Sequence, residues 1–185
     1  MIVLFWIVFY GWVLAELWIG WRYRLRAGST PRDRGSQTLL IASIWLGVAL
    51  GIWLSFTPVS AAGLLRDFLL AAGIAVMLAG LSLRWSAILT LGQSFTTAVG
   101  VRTDQVVVQS GPYRWIRHPS YTGALITILG CLIACCNAIS LVAILIPILG
   151  YAYRIRVEEQ VLVSGLGEPY LAYMQRTKRL IPFIV

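Results

Sequence analysis

Apolar residues dominate this chain in five long runs separated by short polar stretches. A hydrocarbon core of about 30 Å needs roughly 20 helical residues to cross it. Residues 2–21 meet that length, with Glu16 as their only charge. Residues 39–56 follow, ending before Pro58, and residues 68–83 continue past Arg84 towards Leu91. Residues 119–136 and 138–153 form the last two runs. Their junction at Asn137 predicts a tight helical hairpin, and Pro147 is expected to kink its second arm. Beyond Tyr153 the pattern changes. "RIRVEEQVLVSGLG" reads as a polar extension of the fifth run that stops at Gly165 and Gly167. "EPY" restarts a helix with Pro169 at its first position. Tyr170, Tyr173, Met174 and Thr177 then recur at helical spacing, which predicts an amphipathic cap on the membrane surface. The expected fold is an all-α integral membrane protein of about five transmembrane helices in a single domain, 1–185. Residues 1–90 supply three helices, and residues 91–185 a loop, the hairpin and the C-terminal amphipathic helices.

Composition agrees. Of 185 residues, 59% are hydrophobic and 12% charged, against roughly 45–50% and 25% in soluble domains. No basic segment precedes the first run and no small-residue cleavage site follows it, so it is expected to stay as a span and not leave as a signal peptide. The net charge of +8 raises the question of nucleic acid. Its placement argues against that partner, because the cations flank the spans, where lipid headgroups supply the phosphates. Arg22, Arg24, Arg26, Arg32 and Arg34 lie in segment 22–37, and Arg102, Arg114 and Arg117 in segment 92–118. Arg154, Arg156, Arg176, Lys178 and Arg179 lie in the tail. With five spans these three segments share one side, and the other side has only Arg66. The N-terminus is then outside, with the long loop and the C-terminus cytoplasmic. Trp12, Trp18, Trp21, Trp85 and Trp115 read as interfacial anchors. Cys131, Cys135 and Cys136 share one apolar run with no histidine or carboxylate beside them. They read as packing residues, with no metal site and no disulfide framework expected.

Polar groups in a membrane protein concentrate where it functions, and here they concentrate twice. The first cluster is "GPYRWIRHPSY", residues 111–121, which holds the chain's one histidine. Gly111-Pro112 signals a turn, and Pro119 suits the first position of the fourth helix. His118, Ser120 and Tyr121 then sit at a helix N-terminus, where free N–H groups favour an anion, with Arg114 and Arg117 adding positive charge. The alternative is a capped helix start beside headgroups. The second cluster is "RIRVEE". Arg154 with Glu158, and Arg156 with Glu159, have the spacing of ordinary helix salt bridges. Equally, an arginine there could hold a substrate anion and a glutamate a cationic or hydroxylated cofactor group. The hairpin brings both clusters to one membrane edge, where Tyr113, Tyr121 and Tyr153 would join them around a cavity.

In this order and spacing, "GPYRWIRHPSYTG" followed by "RIRVEEQVLVSGLGEPYLAYMQRTKRLIPFI" resembles the isoprenylcysteine carboxyl methyltransferase family, whose C-terminal core is shared with phospholipid methyltransferases. The match covers roughly residues 91–183; the first half resembles the family only as apolar spans. The resemblance implies a membrane-embedded enzyme that uses S-adenosyl-L-methionine without a Rossmann domain. Carried onto matching positions, it implies cofactor contacts at Gln105, Val106, Val107, Val108, Tyr113, His118, Pro119, Ser120, Tyr121 and Glu158. It implies that Arg154 is the catalytic residue and meets the substrate carboxylate. Gln105 stands where some relatives have histidine, so contacts along 105–108 are expected from the backbone; the early-loop contact near Val99 and Gly100 is left unassigned.

The residues suit such chemistry. Methyl transfer from a sulfonium to a carboxylate neutralises two charges and gains when water is excluded. The acceptor is already ionised at pH 7 and needs no general base, so alignment matters more than proton transfer. The expected acceptor is lipid-linked or apolar and enters sideways from the bilayer, with Gly123 and Gly130 leaving room for its chain or serving close helix packing. Alternatives are phospholipid N-methylation, which requires an amine to lose a proton, thiol S-methylation, an NADPH-dependent membrane reductase, and a non-enzymatic lipid-binding protein.

Overall fold

The computed structural model describes residues 1–23, 35–57, 61, 63–97, 99–100 and 105–181. Arg24, Arg26, Arg32, Arg34, Pro58 and Arg102 lie outside the described residues. Among the described residues six α-helices form: α1 (Ile2–Arg22), α2 (Ser36–Leu54), α3 (Gly63–Leu91), α4 (Pro119–Ala134), α5 (Leu145–Leu166) and α6 (Glu168–Arg176). Four helical segments are long and apolar enough to cross a membrane: α1, α2, α3 with the turn after it, and α5 with the 3₁₀ turn Ile139–Ile144 before it. The fourth expected span, α4, has only 16 residues, roughly 24 Å at the α-helical rise. Most of its surface is covered by protein, so its backbone need not match the full lipid thickness. The irregularity expected at Pro147 falls earlier, where the 3₁₀ turn passes into α5; Pro147 itself sits in the first turn, where its missing N–H has no cost.

Glycines decide which helices touch. Gly73 and Gly80 on α3 face Gly130 and Gly123 on α4, both pairs spaced by seven residues. A Cβ at Gly80 would lie 2.5 Å from Thr127 N, and one at Gly123 would lie 2.6 Å from Arg84 N. The two backbones are therefore in contact along an antiparallel seam, as small residues permit between helices in lipid. Gly123 and Gly130 serve this packing and leave no channel for a chain. A second seam joins α2 to α5, where a Cβ at Gly47 would lie 2.7 Å from Pro147 Cδ. The expected α4–α5 hairpin thus forms with its arms apart, each against a different partner, α3 or α2. Asn137 ties the turn between them to α2, through the Leu54 carbonyl at 2.9 Å and Thr57 Oγ1 at 2.8 Å.

The apolar core runs through Phe5, Phe9, Trp12, Val48, Ile74, Met77, Ile128 and Leu132. Trp12 belongs to it at 2% exposure and is not an interfacial anchor, because it faces α2, where it stacks on Trp45. Trp18, Trp21 and Trp115 do lie at the surface. Gly167, at φ +61°, ends α5 and lets α6 fold back. Among the described residues no sheet forms; a single bridge pairs Ile116 with Lys178.

Candidate active site

The separated hairpin arms leave a cavity of about 570 Å³, bounded by α1, α2, α4, α5, the loop after α3 and the cap. Its polar end gathers both sequence clusters. The segment before α4 turns at Gly111 (φ +54°), which packs on Thr90. Tyr113 is buried by this turn, and its carbonyl accepts the Tyr173 hydroxyl at 2.7 Å. The His118 ring stacks on Tyr121 at 5.3 Å with planes 2° apart. Tyr121 donates its hydroxyl to Glu158 Oε2 at 2.5 Å. His118 stands between the two glutamates, with Nε2 3.4 Å from Glu159 Oε1 and Nδ1 3.9 Å from Glu158 Oε2.

The paired glutamates therefore split their tasks. Glu159 is buried and binds Arg117 Nε at 2.8 Å and Arg179 at 3.0 Å, while Arg156 on the same helix is exposed. Arg117 also donates to the Thr177 carbonyl and, at 3.1 Å, to that of Met174. Glu158 lines the cavity. Arg154, at 2% exposure, reaches Ser36 Oγ and the Thr97 carbonyl, each at 2.8 Å, and the Tyr121 hydroxyl at 3.4 Å. These partners come from other elements, so the local i,i+4 reading does not describe them.

The anion site expected at the start of α4 is largely closed. Pro119 has no N–H, and those of Tyr121 and Thr122 go to the His118 carbonyl. The N–H of His118 goes to Arg179 O, and that of Arg117 to Lys178 O, so the C-terminal tail occupies this edge. Arg114 lies over Trp115 at the surface and Arg117 is held by Glu159; neither is an open anion site. Gln105, Val106, Val107, Val108, Tyr113, His118, Ser120, Tyr121, Arg154 and Glu158 all line the cavity. Val99 and Gly100, left unassigned above, line it too. Pro119 does not, being buried in the helix start, and Tyr153 is 39% exposed on the outer face of α5 while Tyr151 takes the inner position. Burial raises the phenols of Tyr113 and Tyr170 and pushes that of Tyr173 up to about 12, so all three stay neutral hydroxyls at physiological pH.

Two charges that the motif reading passed over complete the wall. Arg84 on α3 pairs with Glu16 on α1, donating from Nη2 to Oε2 at 2.6 Å, with Nε 2.6 Å from Oε1 as an ion-pair contact without hydrogen-bond geometry. It also donates to Ser120 Oγ at 3.0 Å and Ser120 O at 3.2 Å. The signal was available, since an ionisable residue inside an apolar span is expected to face a partner or a cavity. Further along the cavity the lining becomes apolar, with Leu17, Leu40, Ile41, Ile44, Ala124 and Ile128.

Fold and cavity together define a multi-pass helical membrane protein with a polar pocket at one edge of the bundle and an apolar arm among its spans. The sequence model of the isoprenylcysteine carboxyl methyltransferase family matches residues 72–164, half of the chain. Similar curated proteins include protein-S-isoprenylcysteine O-methyltransferase B of Arabidopsis thaliana, 36% identical over 60% of this chain and 58% of its own length. The Homo sapiens protein-S-isoprenylcysteine O-methyltransferase is 30% identical over 95% of this chain and 65% of its own. A solved structure of a eukaryotic intramembrane Ras methyltransferase, isoprenylcysteine carboxyl methyltransferase, superposes with a TM-score of 0.60 at 32% identity. That match covers 80% of this chain and 52% of the other. The chain belongs to the isoprenylcysteine carboxyl methyltransferase family, and it spans about three-fifths of the length of the Arabidopsis and human relatives.

Proposed function

We propose that the protein is a membrane methyltransferase that esterifies the carboxylate of an isoprenylated cysteine, with S-adenosyl-L-methionine as donor. The observation that carries the reading is one continuous cavity in which a buried arginine stands between a carboxylate-bearing polar end and an apolar arm. The residues present fit the donor. Glu158 suits an ammonium or ribose hydroxyls, the backbone of 105–108 suits an adenine edge, and Tyr113, Tyr170 and Tyr173 supply neutral aromatic walls. The donor supplies an electrophilic methyl group on a sulfonium. Arg154 would hold the acceptor carboxylate by one oxygen and leave a lone pair of the other for the methyl carbon. No proton moves in such a transfer. This agrees with a histidine that stacks on Tyr121 and spaces two glutamates, which makes His118 a positioning residue for the donor site. Exclusion of water favours the step because opposite charges are consumed.

With the cation-rich segments on the cytoplasmic side, the donor enters from the cytoplasm and the acceptor from the bilayer. The lateral path runs between α1 and α2, where cavity-lining Leu17, Trp21 and Ile41 are exposed on the membrane-facing surface. The test is a side-by-side methylation assay with farnesylcysteine, a fatty acid, an alkyl thiol and phosphatidylethanolamine. Base-labile label on farnesylcysteine alone supports the proposal. Label only on the amine or thiol, or no binding of the donor by calorimetry, overturns it.

A further inference from the structure

Along the inner face of α5, Tyr151, Arg154 and Glu158 follow one another at helical spacing, and all three line the cavity. Glu158 marks the donor end. Tyr151 stands one turn before Arg154, roughly 4.5 Å deeper along the helix axis. Its side chain is buried, at 2% exposure. Tyr121 packs against it with ring centroids 5.1 Å apart, and Arg84, Glu16 and Arg154 are near enough to act on it electrostatically. None of these groups bonds to its hydroxyl. Arg84 is directed to Glu16 and Ser120, and Arg154 to Ser36, Thr97 and Tyr121. The Tyr121 hydroxyl goes to Glu158. Among the described residues the Tyr151 hydroxyl has no hydrogen-bond partner. A buried hydroxyl is ordinarily bonded, so one left open in a cavity wall calls for an acceptor atom on the ligand.

We infer that the Tyr151 hydroxyl is a second donor to the carboxylate of the methyl acceptor, and that it holds the oxygen that does not attack. The inference rests on the proposed function and deepens it. An ionised carboxylate suits a hydroxyl placed beside two arginines, because the bond is charge-assisted. Position decides which oxygen is held. Glu158 puts the methyl donor on the far side of Arg154 from Tyr151, so the oxygen facing Tyr151 is turned away from the methyl group. One carboxylate oxygen accepts two bonds. Arg154 and Tyr151 therefore fix the same oxygen from different directions and stop the group from rotating. A lone pair of the other oxygen forms the new C–O bond while the methyl carbon's bond to sulfur breaks, its electron pair staying on sulfur. No proton is transferred, and Tyr151 keeps its own. The held oxygen ends as the carbonyl of a neutral ester, which has lost the charge assistance. Tyr151 thus favours the acid over the ester, and so substrate over product.

The test measures Kd for farnesylcysteine and for its methyl ester in nanodiscs, with wild type, Tyr151→Phe and Tyr153→Phe. Phenylalanine keeps the ring against Tyr121 and deletes only the hydroxyl. Tyr151→Phe should weaken binding of the acid about tenfold, the scale of one charge-assisted bond, and leave the ester within twofold. The Kd for S-adenosylmethionine should stay within twofold, and Tm without ligand should not fall, because no bond within the protein is lost. Tyr153→Phe, on the outer face of α5, should match wild type in every measurement. Equal losses for acid and ester, or a lowered Tm, would make Tyr151 a packing residue and overturn the inference. An unmoved acid-to-ester preference in Tyr151→Phe would overturn it too. If wild type methylates no farnesylcysteine, the proposed function fails and this inference with it, whereas an active wild type with an unmoved preference refutes Tyr151 alone.

Discussion

Replacing Arg154 by lysine separates holding the acceptor from holding the donor. Arg154 donates to Ser36 Oγ and the Thr97 carbonyl at 2.8 Å, and more weakly to the Tyr121 hydroxyl at 3.4 Å. Bonds from a charged donor contribute about 1.5–3 kcal/mol each, so an alanine that deletes both short ones removes roughly 3–6 kcal/mol. That approaches the whole stability of an ordinary domain, and alanine would confuse unfolding with lost chemistry. Lysine keeps the charge and the buried stem but loses the planar fork. It can satisfy one of the two short bonds, for a loss of about 2 kcal/mol. The fork is also what fixes a carboxylate in two dimensions, so the acceptor should lose its alignment, and kcat should fall about 100-fold. Donor affinity, measured by calorimetry on the purified protein, should stay within about twofold, because Glu158 and His118 remain. Transfer is followed with radiolabelled donor and farnesylcysteine. A near-wild-type kcat would refute the assignment of Arg154 to the acceptor. A collapse of donor binding in a folded Arg154→Lys protein would move the residue to the donor side.

Three further outcomes follow from the same geometry. Gly80→Ala and Gly123→Ala should each lower stability by about 1–3 kcal/mol or more, read as a fall in Tm, because the new Cβ meets backbone at 2.5–2.7 Å; an unchanged Tm with a raised acceptor KM would show that the glycines make room for a chain. Glu158→Gln should weaken donor binding by about tenfold or more while leaving acceptor KM little changed, since it removes a carboxylate charge that faces the cavity beside His118 and Tyr121; equal loss for both ligands in binding assays would contradict that division. Glu16→Gln should destabilise the protein by about 3–5 kcal/mol through an uncompensated Arg84, and Glu16→Gln with Arg84→Met should recover part of that in thermal unfolding. A double variant no more stable than the single would mean that Arg84 is held chiefly by Ser120.

What the sequence revealed depended on how local the cause was. Apolar runs located α1, α2 and α4 to within about three residues, because length and hydropathy act on each span alone, whereas α3 begins five residues before its run and α5 seven residues after its own, behind a 3₁₀ turn. The cavity residues His118, Tyr121, Arg154 and Glu158 were legible because the motif spacing and the hairpin together required them at one edge. Their partners were not. Helical spacing offered Glu158 to Arg154 and Glu159 to Arg156, whereas Glu159 binds Arg117 and Arg179. The start of α4 had the marks of an anion site until the tail, about 60 residues later, supplied carbonyls to it. Trp12 was indistinguishable in sequence from the exposed Trp21, because the difference lies in which face of α1 meets α2. Glu16 and Arg84, 68 residues apart, each read as a tolerated single charge, since neither position announces the other.

Two buried arginines, Arg84 and Arg154, and the half-buried Arg117 explain how a site of this kind is held together among the spans. Apolar side chains gain little from meeting each other in lipid, so they cannot alone specify which helices close around a cavity. Unpaired charges can, because leaving one in the bilayer costs several kcal/mol. Arg84 ties α1 to α3 and to the first turn of α4. Arg117 ties α5 to the cap and the tail through Glu159 and two main-chain carbonyls. Arg154 ties α5 to the start of α2 and to the loop after α3. Each tie is made at the same end of the bundle, and each borders the cavity. The glycine seams bring α3 against α4 and α2 against α5, and Gly51 packed on Leu132 joins the two pairs at the far end of the bundle. At the cavity end the cross-ties are made by the arginines, from α5 to the segment before α4 and to the start of α2. A lost arginine partner should therefore widen the cavity before it unfolds the spans, and reaction rate should fall at temperatures where helix content is still intact.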